Sequence, residues 1–228
     1  MSTARVIQLR QLLREKIPQA RLGLDELTAR PLNSWATGIA QLDDSLHGGL
    51  PRGALTEIIA PQRSSGSALL RNALVARAAA ERQIVAYIDG HDSLDVTALE
   101  PAVVERLLWV RCRTAEEALK AGDLILRDRN VPLVILDLVS NPTMELRRIG
   151  ATTWFRFQRI LEMGSTVCVV LTPEPRVSPA QARITIRPQR RNLAALDRES
   201  VELISELKLE VSDARRLQET NEQLQSLA

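Results

Sequence analysis

Residues 37–61 read TGIAQLDDSLHGGLPRGALTEIIAP, residues 63–80 read RSSGSALLRNALVARAAA, and residues 84–95 read IVAYIDGHDSLD. The order of patterns in these three stretches decides the fold. Residues 55–59 form a short apolar run with β-branched members, a strand signal. A Ser- and Gly-containing loop follows, then a helical stretch over 67–82, then a second apolar run at 84–88 that ends on an acidic turn. Working outward, apolar runs recur at 107–110, 131–136, 166–171 and 182–187, and helical patterns at 96–106, 114–129 and 145–163. Most of the runs are nearly continuous in apolar residues, which marks strands buried on both faces of a largely parallel sheet. Strand, helix, strand in repeated order predicts an α/β domain with right-handed crossovers and a mostly parallel twisted sheet flanked by helices.

The flanks read differently. In residues 5–17 (RVIQLRQLLREKI), Val6, Leu9, Leu12, Leu13 and Ile17 recur at helical spacing between basic residues, so an N-terminal amphipathic helix is expected. Pro18, Gly23, Pro31 and Asn33 mark a linker after it. Beyond Pro188 the text holds no Gly or Pro and turns rich in Glu, Leu, Gln and Arg, which predicts a C-terminal helical tail. The expected organisation is helix and linker over 1–34, an α/β core over 35–188 and the tail over 189–228. In the tail, Leu196, Leu203, Leu217 and Leu224 fit d positions of a heptad, and Leu207, Ala214, Asn221 and Ala228 fit a positions. Ser200 at a and Glu210 at d interrupt the repeat. A buried Asn at a sets register and a two-stranded state, so the tail joins a second copy or a partner, or lies along its own core. The N-terminal helix has the same two readings, docking on a partner or folding back.

Composition excludes several classes. The 30 basic and 28 acidic residues leave a formal charge of +2, without the strong basic excess of a protein that coats nucleic acid. Arg147 and Arg148, and the group Arg187, Arg190 and Arg191, read as solvated positions or as contacts to phosphates, so DNA contact is expected to be weak or indirect. Cys112 and Cys168 stand far apart inside apolar runs and read as reduced core thiols. With His47 and His91 as the two histidines, no zinc-type cluster is expected. No apolar run approaches the ~20 residues of a membrane span and no leader-like segment opens the text, so a cytoplasmic protein is expected.

Set side by side, these segments resemble the RecA recombinase core. Thr37, Gly38, Leu42 and Asp43 match the family's T-G-x-x-x-L-D opening, and Gly48, Gly49, Leu50, Pro51 and Gly53 match its G-G-L-P-x-G turn. A working phosphate loop, G-x-x-x-x-G-K-[ST], cradles phosphates with backbone N–H groups, and its Lys and hydroxyl reach the terminal phosphates and Mg²⁺. In this chain the loop runs Ala60-Pro61-Gln62-Arg63-Ser64-Ser65-Gly66-Ser67-Ala68. It is one residue longer, Ala60 replaces the first Gly, and Ser67 and Ala68 stand at the Lys and Ser/Thr positions. The resemblance implies a water-activating Glu after the second strand, and that place falls on His91; the neighbouring Asp89 and Asp92 read as turn and cap residues. Asp137 matches the carboxylate that would hold Mg²⁺ through water. A vestigial nucleotide site, with no cofactor, no metal and no ATPase chemistry, is therefore expected. The connection TPEPRVSPAQ after the fifth run carries three prolines and no Gly-rich DNA-binding loop.

Residues 104–138, with LLWVR followed by a T-x-x-[DE]-A-L helix start, are similar to ImuA proteins, SOS-regulated RecA-like proteins often described as SulA-like. What that resemblance implies is a non-catalytic accessory role in damage-induced translesion synthesis. The partners it implies are an ImuB-like inactive Y-family polymerase homologue, RecA, and indirectly an error-prone DNA polymerase. Leu9, Leu12, Leu13 and Ile17 at one end, and Leu203, Leu207, Leu217 and Leu224 at the other, are the candidate partner-binding residues, and a homo-oligomer through the tail is one arrangement. The alternatives are a divergent RecA-like ATPase or DNA-binding paralogue, and a SulA-type cell-division inhibitor.

Overall fold

A computed structural model describes residues 34–61, 65–188, 198 and 200–213. The chain divides into two units, Met1–Asn33 and Ser34–Ala228; the first, with the expected helix at 5–17, lies outside the described residues.

The second unit is built on a seven-stranded sheet of order β5-β4-β6-β7-β3-β8-β9. Its members are β3 (Ala54–Ile59), β4 (Val85–Asp89), β5 (Leu107–Arg111), β6 (Leu133–Asp137), β7 (Val167–Thr172), β8 (Ala182–Ile186) and β9 (Leu209–Asp213). All neighbours run parallel except β8 and β9. The six apolar runs of the sequence thus form the six parallel strands. β3, β4, β6 and β7 are buried along their whole length, as strands covered on both faces must be. A two-stranded hairpin, β1 (Ser34–Trp35) with β2 (Leu50–Pro51), closes the opening segment.

Helices cover both faces. On one lie α1 (Ala40–Ser45), α2 (Ser67–Ala80), a 3-10 turn (Val96–Ala98) and α3 (Pro101–Val104). Leu42, Leu70, Leu74, Val75 and Val103 meet Ile58, Tyr87, Ile135 and Val169 there in one core cluster. On the other lie α4 (Ala115–Asp128), α5 (Thr143–Arg147) and α6 (Ala151–Leu161). Leu126, Trp154, Phe157 and Leu161 meet Leu55, Ile88, Val134 and Val170 in a second cluster. The α4 start is a local consequence of sequence: Thr114 Oγ1 accepts from the Glu117 N–H, and Glu117 returns its carboxylate to the Arg113 N–H. The first bond satisfies a helix-end donor, and the second ties the residue before the cap to the first turn. Two helical expectations are shortened: 96–106 is a 3-10 turn plus one turn of α3, and 145–163 splits into α5 and α6 at Ile149-Gly150.

The C-terminal segment is the main departure from expectation. Residues 200–213 are not a continuous helix: α7 (Ser200–Ser205) ends, Leu207 enters the core and β9 pairs antiparallel with β8. The heptad assignment therefore fails over this stretch. Leu207 and Leu209 are buried while Lys208 and Glu210 are exposed, a period of two that suits a strand with one face on the core, and the pairing covers what would otherwise be the open edge of β8.

Candidate functional site

The carboxyl ends of the parallel strands are where α/β sheets place their ligands, and the five residues of the expected vestigial site lie at that end. Ala60 follows β3, is buried, and donates its N–H to the Thr172 carbonyl at 2.8 Å. Gly66 is the N-cap of α2 with φ 105°, a left-handed conformation that suits glycine. Ser67 opens α2 and Ala68 is exposed on its first turn. Asp137 ends β6 and stands opposite Asp89, the last residue of β4.

Both carboxylate oxygens of Asp137 accept hydrogen bonds. Its Oδ2 accepts from the Tyr87 hydroxyl at 2.5 Å and lies 3.4 Å from the Arg71 guanidinium, while Oδ1 accepts from the Val139 N–H at 3.1 Å. Arg71 also donates to Tyr87 Oη at 3.0 Å, with its Cζ 5.4 Å from the tyrosine ring centroid. Burial first, and then the Asp137 carboxylate, push the Tyr87 hydroxyl well above its usual pKa, so it stays a donor. Neither Arg71 nor Tyr87 was among the expected site residues. Arg71 reads as an ordinary position of an amphipathic helix, and no sequence signal links residues 16 and 66 positions apart.

The acidic turn is structural. Asp89 accepts from the N–H groups of Ser93 and Leu94 at 2.8 and 2.7 Å and from Ser93 Oγ at 3.2 Å. The turn reading of Asp89 thus holds. Asp92 is not a cap: it forms a two-armed pair with Arg111 at 2.6 and 2.7 Å, which holds its carboxyl below the usual range. His91 is exposed beside them. Asp43, in the opening motif, accepts from Thr37 N–H and Oγ1 at 2.8 and 2.7 Å and from Gly38 N–H at 3.0 Å. The Thr-Gly…Asp spacing thereby closes a turn. At Gly49 (φ 114°) a side chain would run into the Trp35 carbonyl, which explains the glycine of the adjoining turn.

Of the expected partner-binding residues, Leu203 is half-buried and Leu207 is 3% exposed within the core, so Leu207 is not a surface residue. A Cβ on Gly66 would collide with Leu207 Cδ2; the C-terminal segment therefore lies against the loop glycine. Leu9, Leu12, Leu13, Ile17, Leu217 and Leu224 lie outside the described residues. Arg147 and Arg148 are exposed, Arg187 pairs with Glu210 at 2.5 Å, and Arg190 and Arg191 lie outside. Cys112 and Cys168 are free and buried, as expected. A groove of about 670 Å³, lined by Leu69, Ala76, Leu99, Val103 and Ile204 among others, runs between α2, α3 and α7. Among the described residues no helix is long and apolar enough to cross a membrane, and no cluster of three or more His, Cys, Asp or Glu could hold a metal.

Known proteins extend this geometry. The RecA N-terminal domain model matches residues 10–149. Protein RecA of Desulfotalea psychrophila is 37% identical over 168 residues, 66% of this chain and 46% of that protein. Protein RecA of Bdellovibrio bacteriovorus is 32% identical over 123 residues, 53% of this chain and 32% of that protein. Protein RecA 2 of Myxococcus xanthus is 33% identical over 123 residues, 53% of this chain and 34% of that protein. The chain thus spans about a third to a half of the length of these relatives. The parallel sheet with its loop-to-α2 turn, the Thr-Gly…Asp opening and the family match over residues 10–149 agree: the chain belongs to the RecA N-terminal domain family.

Proposed function

We propose that this protein is a RecA-like accessory factor of damage-induced translesion synthesis that works by binding other proteins and does not hydrolyse ATP. The observation that carries the reading is the state of Asp137, whose oxygens are taken by Tyr87, Arg71 and Val139. The residues present do not fit a metal-bound nucleotide. The loop offers Ser67 and Ala68 where an ammonium and a metal-binding hydroxyl are needed, and His91 stands at the place of the water-activating Glu. A core of this kind offers rigid surfaces rather than chemistry. The likeness of residues 104–138 to ImuA proteins supplies the context, with an ImuB-like polymerase homologue and RecA as partners and the error-prone polymerase reached indirectly. The cytoplasm is the compartment in which such partners act.

The reading is tested by co-purification of the full chain from cells treated with a DNA-damaging agent, alongside an ATPase assay. Recovery of an ImuB-like protein or RecA, with no turnover above background, is expected. Saturable ATP binding with hydrolysis lost in Asp137→Asn would replace it with a divergent ATPase. Recovery of the division GTPase alone would replace it with a SulA-type inhibitor.

A further inference from the structure

The side chain of Asp137 is 8% exposed, at the position that the resemblance assigns to metal, and the side chain of Arg71 beside it is 11% exposed. A buried carboxylate is strongly unfavourable unless a positive charge and donors compensate it. Here the compensation comes from within the chain. Arg71, one turn into α2, reaches back over the Tyr87 ring to the Asp137 Oδ2 that also accepts from Tyr87. The other carboxylate nearby, Asp89, is occupied by the Ser93 and Leu94 amides and by the Trp109 indole N–H at 3.4 Å. Among the described residues, Arg71 is the cation paired with Asp137 at this corner of the sheet.

We propose that Arg71 is a resident cation: its guanidinium, with the Tyr87 hydroxyl, occupies the Asp137 oxygen from which the water of a bound metal would be held, and so replaces the metal as the charge that holds the strand ends together. The inference rests on the non-catalytic reading and goes further, since it assigns the stabilising charge to one residue. An absent lysine alone would leave Asp137 open to a metal ion. An arginine in contact with the carboxylate, a hydroxyl and a ring face closes it, because a metal would have to displace the guanidinium from its carboxylate, and the other carboxylate nearby among the described residues, Asp89, is already taken.

The experiment is thermal melting of the full chain with and without millimolar MgCl₂, for the wild type, Arg71→Met, Arg71→Lys and the double variant Arg71→Met/Asp137→Asn. The wild type is expected to ignore Mg²⁺. Arg71→Met is expected to melt on the order of 5–10 °C lower and to regain part of the loss with Mg²⁺. The double variant, with no charge left to balance, is expected to recover stability without Mg²⁺ and to ignore it. Should Arg71→Met fail to fold, recovery of folding on adding Asp137→Asn supports the assignment in its place, and Arg71→Lys, which keeps the charge, is expected to fold. A wild type stabilised by Mg²⁺, an Arg71→Met variant as stable as the wild type, or a double variant no better than the single one would each overturn the assignment. These melts stand apart from ATP turnover, which tests the non-catalytic reading by itself.

Discussion

Glu57 puts a carboxylate in the middle of β3 with no solvent exposure, and four donors converge on it. Thr172 Oγ1 and the N–H groups of Arg176 and Val177 reach Oε1 at 3.0, 2.6 and 3.0 Å, and Arg183 reaches Oε2 at 2.7 Å. The proline-rich connection after β7 is therefore fixed to the sheet by one side chain. Removing Glu57 leaves the buried Thr172 hydroxyl and Val177 N–H without their acceptor, while Arg183, 31% exposed, can turn to water, so Glu57→Ala is expected to cost about 1–3 kcal/mol in urea unfolding. Glu57→Gln, which keeps an acceptor, should cost less. Cys168 gives a pH-dependent counterpart. Burial pushes its thiol up to about 12, against an unfolded value of about 8.5. The native state therefore holds a proton that the unfolded chain releases. Its contribution is fully present below about pH 8.5 and declines as pH rises towards 12, with a slope of up to about 1.4 kcal/mol per pH unit. Denaturant unfolding between neutral and alkaline pH should show that decline for the wild type and a shallower one for Cys168→Ala.

At the scale of elements, the opening motif is a turn held by one carboxylate. Asp43→Ala would release two N–H groups and a hydroxyl, and is expected to cost about 1–3 kcal/mol by chemical denaturation while leaving the sheet in place. Six of the seven sheet strands were legible as apolar, β-branched runs, and four of them, β3, β4, β6 and β7, are buried on both faces, a requirement that shows in composition alone. β9 was hidden for the opposite reason. Its five residues alternate within Glu- and Leu-rich text, and its strand state comes from the free edge of β8, a partner more than twenty residues away. The hairpin of β1 and β2 has two residues per strand, too few to show a period. The site divides in the same way. The loop residues and Asp137 follow from local motif spacing, whereas the Arg71–Tyr87–Asp137 contact is made only when β4, β6 and α2 come together.

For the whole molecule, the consequence is that residues 200–213 belong to the core. Leu207, Leu209 and Val211 pack with Leu74, Ile184 and Ile186 in the cluster beneath α2, and Leu207 rests on the Gly66 turn. Leu207→Ala is expected to cost about 2–5 kcal/mol by denaturant unfolding. A chain ending at Pro188 would lose β9 as well, expose the edge of β8 and aggregate or melt far below the full chain. Loss of partner binding in that truncation would therefore say nothing about a binding tail. A chain ending at Asp213 keeps β9 and its pairing with β8. It removes Leu217 and Leu224, the two tail candidates that lie beyond the described residues. If those residues dock a partner, the 1–213 chain should be folded by circular dichroism and yet fail to co-purify with the ImuB-like protein or RecA. If they pair with a second copy, light scattering should show a dimer for the full chain and a monomer for the 1–213 chain. Full co-purification and an unchanged mass in the 1–213 chain would remove both roles from the tail and leave binding to the core surfaces or to residues 1–33.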